Sequence, residues 1–406
     1  MINNIRKNLV LYYLLLSGFL IRLIFAGFPG FHVDTDTFFA WSLRVTDVGL
    51  ANFYSPDVWT NYTPGMIYVF YLLGFIKSIF PLSGEQFYSL LKIPSILADL
   101  VLSYFVYKQL LKTSSKKIAS YGLAFCLFNP VLIFNSAVWG AFDGLMTLFL
   151  FLTIYYLDQK KLITSSIYFG ISILLKPQAV AIAPVLGLFL LKNFSVKNFL
   201  KLTLPAVISV IILSVPFFPA DPLAGFFKLF IQMAQDYKAN SLFAYNTWGI
   251  FGFWIDDSTT LAFLPIRIWG LIMMSVFWLY FYLLFFKRKF DAFTLSTLAF
   301  LAFFFLPTRV HERYLFSAIP FLILVALKFK SRILVLASVV LSFLHLLNLY
   351  YVYVYYNEFY LKLPRVLYIT GFYEFLETQA KLLSVISTLL FLLITITISR
   401  KVTSEK

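Results

Sequence analysis

With 406 residues, 61% of them hydrophobic and only 13% charged, the chain carries about half the charge of a typical soluble domain, which excludes a soluble globular fold. A formal net charge of +15 would point to nucleic acid in a soluble protein, but here Lys and Arg fall in short clusters between apolar runs, where they set membrane topology, so no nucleic-acid partner is expected. The single cysteine, Cys126, excludes an intrachain disulfide and a Cys-based metal site.

The apolar run at 9–28 has the length of a true membrane span and no A-x-A-like cleavage site, and is read as the first helix rather than a leader. Basic clusters at 6–7, 108–117, 160–161, 192–201, 287–289, 328–332 and 400–406 mark cytoplasmic ends. They predict an all-α polytopic membrane protein of about twelve spans, at 9–27, 87–111, 118–135, 141–157, 162–175, 178–192, 200–218, 267–286, 291–306, 314–328, 333–354 and 382–399, as one domain with both termini cytoplasmic. Residues 64–80 do not fit the count, because a span there would invert everything after it. This run begins at Pro64-Gly65 and carries Lys77, and is read as a juxtamembrane helix. The first outer loop then covers 28–86 and holds two interfacial helices, one after Asp36 and one after Pro64. All the acidic residues except Asp99, Asp158, Asp291 and Glu405 fall on the outer side, although acids do little to orient helices. The outer side therefore carries the chemistry.

In chain order, the outer motifs are His32-Val33-Asp34-Thr35-Asp36, Asn61-Tyr62-Thr63-Pro64-Gly65, Trp139-Gly140-Ala141-Phe142-Asp143-Gly144, Lys176-Pro177-Gln178 and Thr308-Arg309-Val310-His311-Glu312-Arg313-Tyr314. The first puts two carboxylates and a histidine where a membrane helix ends, an expensive place for charge. The last packs two guanidiniums, an imidazole and a carboxylate into five residues at an outer turn, against the positive-inside trend. Arg forks and a His donor suit phosphate oxygens. Lys176 is either a snorkelling lysine or a further cation for the same phosphate. Asp143 is either a helix cap or a substrate contact. Asp99 is read as a polar bond between helices, and His345 as core.

Taken together, these motifs resemble the GT-C superfamily of lipid-phosphosugar-dependent glycosyltransferases, and within it prokaryotic relatives of the mannosyltransferase that adds the second mannose of GPI anchors. Asp34 precedes Trp41 by seven residues, as in that family's first outer loop. Asn129-Pro130 with Trp139-Gly140-Ala141-Phe142-Asp143, then Lys176-Pro177-Gln178, then Thr308 to Tyr314, match its further elements in order. The likeness extends over about 20–330, and 330–406 is less typical. Where the family has Asp-Tyr-Pro-Pro this chain has Asn61-Tyr62-Thr63-Pro64, so that carboxylate's role is absent or passes to Asp57 or Asp36.

The resemblance implies a GT-C-like fold and transfer of a hexose, commonly mannose, from a polyprenyl-phosphate donor to an acceptor hydroxyl on the outer face of the cell membrane, with inversion. Asp34 or Asp36 would be the general base. Arg309, His311, Arg313 and Lys176 would hold the donor phosphate, and His32, Tyr62, Trp139, Asp143, Gln178 and Glu312 would contact substrate. The reading calls for no cofactor and assigns no metal ligand. Its partners are the lipid-linked donor, an acceptor of unspecified class and the bilayer. The rival from another class is a transporter or flippase of lipid-linked sugars, but transporters place their sites near the midplane on broken helices, whereas these charges gather at one rim.

Overall fold

A computed structural model describes residues 2–288 and 290–404, with side chains from Leu9 onward. Of the expected basic clusters, the side chains of Arg6 and Lys7, and all of Lys289 and Lys406, lie outside the described residues. The chain is 75% helical and 2% strand. Its helices are α1 (Ile2–Ala26), α2 (His32–Val48), α3 (Pro64–Ile79), α4 (Gly84–Leu110), α5 (Lys116–Phe128) and α6 (Pro130–Ile133), the last running on as a π-helical turn over Phe134–Trp139. Then come α7 (Asp143–Asp158), α8 (Leu162–Leu175), a 3-10 turn at Pro177–Ile182, α9 (Ala183–Lys192), α10 (Val196–Ser214) and α11 (Pro222–Gln235). A two-stranded antiparallel hairpin, β1 (Thr260–Leu261) and β2 (Leu264–Pro265), leads into α12 (Ile266–Lys287) and α13 (Ala292–Phe305). The chain closes with α14 (Ala318–Lys328), α15 (Arg332–Val354, continued by a π-helical turn at Tyr355–Tyr360) and α16 (Thr370–Ser404).

Six of these helices, α1, α4, α10, α12, α15 and α16, are long and apolar enough to cross a membrane. A seventh qualifies if α5 and α6 count as one span bent by 43°. The bend lies at Asn129-Pro130. Proline has no N–H to continue the ladder, and Asn129 restarts it by accepting from the Val131 N–H at 3.1 Å. The remaining expected spans are helical but shorter, the longest being the 16-residue α7, which at 1.5 Å per residue covers about 24 Å of a core about 30 Å thick. Of these, α13 and α14 are buried nearly all round, as befits helices enclosed by others rather than facing lipid.

Interhelical packing is held by buried polar bonds as well as by the apolar core. Asp99 on α4 accepts from Arg22 Nε of α1 at 3.1 Å and from the Ser136 hydroxyl at 2.7 Å, so it bonds helix to helix as the sequence suggested. His345 is buried in α15, also as expected. Other charged and polar contacts lie toward the two ends of the bundle. Lys328 pairs with Asp291 at 2.7 Å, and Gln109 donates to Asp158 at 3.2 Å, at the end where the basic clusters lie. The outer motifs meet at the other.

The segment expected as the first outer loop, 28–86, holds two helices, α2 and α3, but α2 starts earlier than expected. It begins at His32, so Asp34 and Asp36 sit in its first turns rather than in a loop before it. Carboxylates are favoured there by the exposed N–H groups and the helix dipole. An aromatic cluster fixes the pair to the bundle: Phe38 of α2 stacks on Phe70 of α3 at 5.2 Å and meets Phe142 edge-on at 5.2 Å. At the start of α3 the chains come close enough that a Cβ on Gly65 would lie 2.5 Å from the Leu174 carbonyl oxygen, while the Thr63 hydroxyl donates to that oxygen at 2.7 Å. Glycine at this position lets α3 dock on the end of α8.

Candidate active site

Four of the five motif segments converge on one cavity of about 370 Å³, and the fifth, Trp139 to Gly144, stands behind its wall. Asp34 reaches it from α2, Tyr62 from the approach to α3, Lys176 and Gln178 from the turn after α8, and Arg309, His311, Glu312 and Arg313 from the α13–α14 connection. Tyr237, after α11, and Tyr356, at the end of α15, complete the wall.

Asp34 is held from two sides. The Arg313 guanidinium ion-pairs with its Oδ2, and Trp139 Nε1 donates to the same oxygen at 2.9 Å. Trp139 is itself fixed: its ring stacks on Phe31 at 4.0 Å, its carbonyl accepts from the Phe31 N–H at 2.9 Å, and Arg313 lies 5.4 Å over its face. Gly140 follows with φ at +85°, in the left-handed region that favours glycine, and this turn lets the π-helical end of α6 give way to α7 within a few residues.

Lys176 does not snorkel. It is 3% exposed, donates to Asp143 Oδ1 at 2.8 Å and lies 5.5 Å from the Tyr62 ring. Asp143 does not cap α7, as its carboxylate takes Lys176 on one oxygen and Asn135 Nδ2, at 3.4 Å, on the other. Arg309 is engaged by the buried Asp257, through Nε at 2.6 Å and Nη2 at 3.2 Å, and also donates to the Ala234 carbonyl at 3.0 Å. His311 Nδ1 stands 3.8 Å from Glu312, and its ring meets Tyr237 edge-on at 5.0 Å. Gln178 Oε1 is buried in the wall without a hydrogen-bond partner, an acceptor available to a hydroxyl-bearing ligand.

The charges support one another. Burial raises the Glu312 carboxyl, but His311 and the Arg313 guanidinium outweigh it and hold the group below the usual carboxylate range. Burial works against the charge on Arg313, yet Asp34 and Glu312 more than offset that and push its guanidinium well above its ordinary value. Each of the three permanent cations here already has a carboxylate partner: Arg313 with Asp34 and Glu312, Lys176 with Asp143, Arg309 with Asp257. An anion entering the cavity must therefore compete for these donors.

Not every expected residue arrives. Asp36 and His32 lie on the other side of α2, where His32 Nδ1 and the Tyr88 hydroxyl both reach Asp36 Oδ1, at 2.9 and 2.7 Å. The Asp36 side chain is 53% exposed against 16% for Asp34. On a helix, two residues two positions apart point in divergent directions, which separates the pair. Trp139 and Asp143 stand behind the wall and act through Asp34 and Lys176. Asp57 is exposed and does not line the cavity. Sequence reasoning missed Asp257, Tyr237, Tyr356 and Asn135 as parts of the site. None sits in a motif, and only tertiary packing brings them in. Among the described residues, no group of three or more His, Cys, Asp or Glu is placed to hold a metal ion.

Compared with known proteins, the chain matches no family model and no curated protein. What fold and composition define is an all-α, multi-pass membrane protein.

Proposed function

We propose that this protein is a membrane glycosyltransferase of GT-C type. It moves a hexose, by resemblance mannose, from a polyprenyl-phosphate donor to an acceptor hydroxyl on the outer face of the cell membrane, with inversion. In this reading the shorter helices complete a twelve-span topology with both termini cytoplasmic. The observation that carries the proposal is the meeting in one cavity of the Asp34 carboxylate with the cationic groups of Lys176, Arg309, His311 and Arg313.

That pairing suits the chemistry. The acceptor oxygen forms a bond to the anomeric carbon, its proton goes to Asp34, the bond from anomeric carbon to phosphate oxygen breaks, and the electron pair leaves on the polyprenyl phosphate. A hydroxyl is a weak nucleophile and gains from a carboxylate base. The charge growing on the leaving phosphate is met by fixed donors in a water-poor site. Asp34 is the base in preference to Asp36, which faces away from the cavity. In the resting site Arg313 neutralises Asp34; donor phosphate draws the guanidinium to itself and frees the carboxylate to take a proton. Gln178 and Tyr62 are positioned for hydroxyls of the sugar or acceptor.

Incubating the purified protein with a panel of polyprenyl-phosphate hexoses tests the reading. One of them should be consumed with release of polyprenyl phosphate. Binding without consumption of any member would favour a transporter instead.

A further inference from the structure

A second recess, of about 600 Å³, opens on the face of α2 opposite Asp34, between the end of α1, the start of α4 and the end of α15. It shares no lining residue with the first cavity: α15 turns Tyr353 and Asn357 toward the recess, and Val352 and Tyr356 toward the cavity.

Its lining is acidic and aromatic. Glu85, Glu358, Tyr88, Tyr353 and Phe28 contribute, and among the described lining residues the one basic side chain, His32, is held by Asp36 at 2.9 Å. Glu358 is the informative one. Its side chain is 3% exposed, and its Oε2 is buried without a hydrogen-bond partner. The nearest cation, Arg365, stands 4.0 Å away, too far for a hydrogen bond, and is itself 65% exposed at the rim. A buried carboxylate oxygen left unpaired is costly, and a ligand bearing N–H groups would satisfy it. Aromatic faces beside it add attraction for a cation.

The surroundings point to a lipid. The recess lies where α4 and α15, both long enough to span, come to an end, and so at headgroup depth. Val366 of the lining is 49% exposed and nearby Ile369 61%, leaving an apolar track leading away. We infer that the recess binds an aminophospholipid through a phosphoethanolamine-type headgroup. The primary ammonium sits on Glu358, the adjoining phosphate on Arg365, and an acyl chain runs along Val366 and Ile369. This site is independent of the glycosyltransferase reading, and either can fail without the other.

Native mass spectrometry of the detergent-purified protein, titrated with phosphatidylethanolamine, phosphatidylcholine, phosphatidylglycerol or glucosamine, reads it directly. Phosphatidylethanolamine should be retained in preference to phosphatidylglycerol, which has no ammonium, and to phosphatidylcholine, whose nitrogen has no N–H. Glu358→Gln should weaken that retention by at least about tenfold, the loss of one charge-assisted contact. Arg365→Ala, on an exposed side chain, should also weaken it, and serves if Glu358→Gln does not fold. Equal retention of phosphatidylglycerol, or unchanged retention in the variants, would overturn the inference. Binding of glucosamine without phosphatidylethanolamine would overturn its lipid source.

Discussion

At the scale of single residues, the site turns on which carboxylate each cation holds. Arg313 bridges Asp34 and Glu312 and lies over Trp139, so it is both a structural tie and, in the proposed reaction, the first donor to the phosphate. Arg313→Ala leaves two carboxylates without their partner and should destabilise the fold by about 3 to 5 kcal/mol. Arg313→Lys keeps the charge but not the planar fork. It should fold, with donor affinity lowered roughly ten- to a hundredfold, as expected for losing a charge-assisted contact of about 1.5 to 3 kcal/mol. Donor binding measured by titration checks this; undiminished affinity would place the phosphate elsewhere. Because Glu312 is held below the 4.5 of a free glutamate, its contribution to stability is full above that pH and fades as pH falls through its lower folded-state value. Thermal melts should therefore show wild type losing more stability than Glu312→Gln as the pH is lowered below 4.5.

At the scale of elements, much was legible. Every expected span proved helical, because long apolar runs between basic clusters leave little alternative. That 64–80 would be helical was legible from Pro64-Gly65 at its start, and the helix runs Pro64–Ile79. The start of α2 was not legible, since its cap residue, Phe31, offers no side-chain acceptor and the signal sits in the backbone. The seven-residue spacing to Trp41 favours Asp34 over Asp36 in sequence, and the helix then turns the two apart, with only Asp34 at the cavity. The pairing of Lys176 with Asp143 was out of reach: a buried lysine and a snorkelling one share a sequence, and only packing decides. The turn at Gly140 is the joint that sets Trp139 behind Asp34. Gly140→Ala must adopt a left-handed conformation costing about 1 kcal/mol or more, with its Cβ 3.0 Å from Thr35 Cγ2. It should lower the melting temperature and also turnover, whereas Gly84→Cys, at an exposed helix start with open space around its Cβ, should do neither.

At the scale of the whole molecule, the account requires a bundle with two chemically different faces, one basic and cytoplasmic, the other carrying the site. The 27-residue α4 connects them, about 40 Å long at 1.5 Å per residue. Cysteines introduced at Gly84 and at Thr113 should be labelled by an impermeant reagent from opposite sides of the membrane, with Gly84 outside. Labelling of both from one side would refute the topology and, with it, the juxtamembrane placement of α3.

The central claim is that Asp34 takes a proton from an acceptor while its cationic neighbours hold the leaving phosphate, and single-turnover transfer by Asp34→Asn tests it most directly. Asparagine keeps the shape and can still accept from Trp139 and Arg313, but it cannot take a proton at neutral pH. The variant should fold, bind the polyprenyl-phosphate donor, and transfer sugar slower by a factor of about 10² to 10⁴, while Asp36→Asn, altered outside the cavity, should remain close to wild type. Transfer by Asp34→Asn at the wild-type rate would contradict the account.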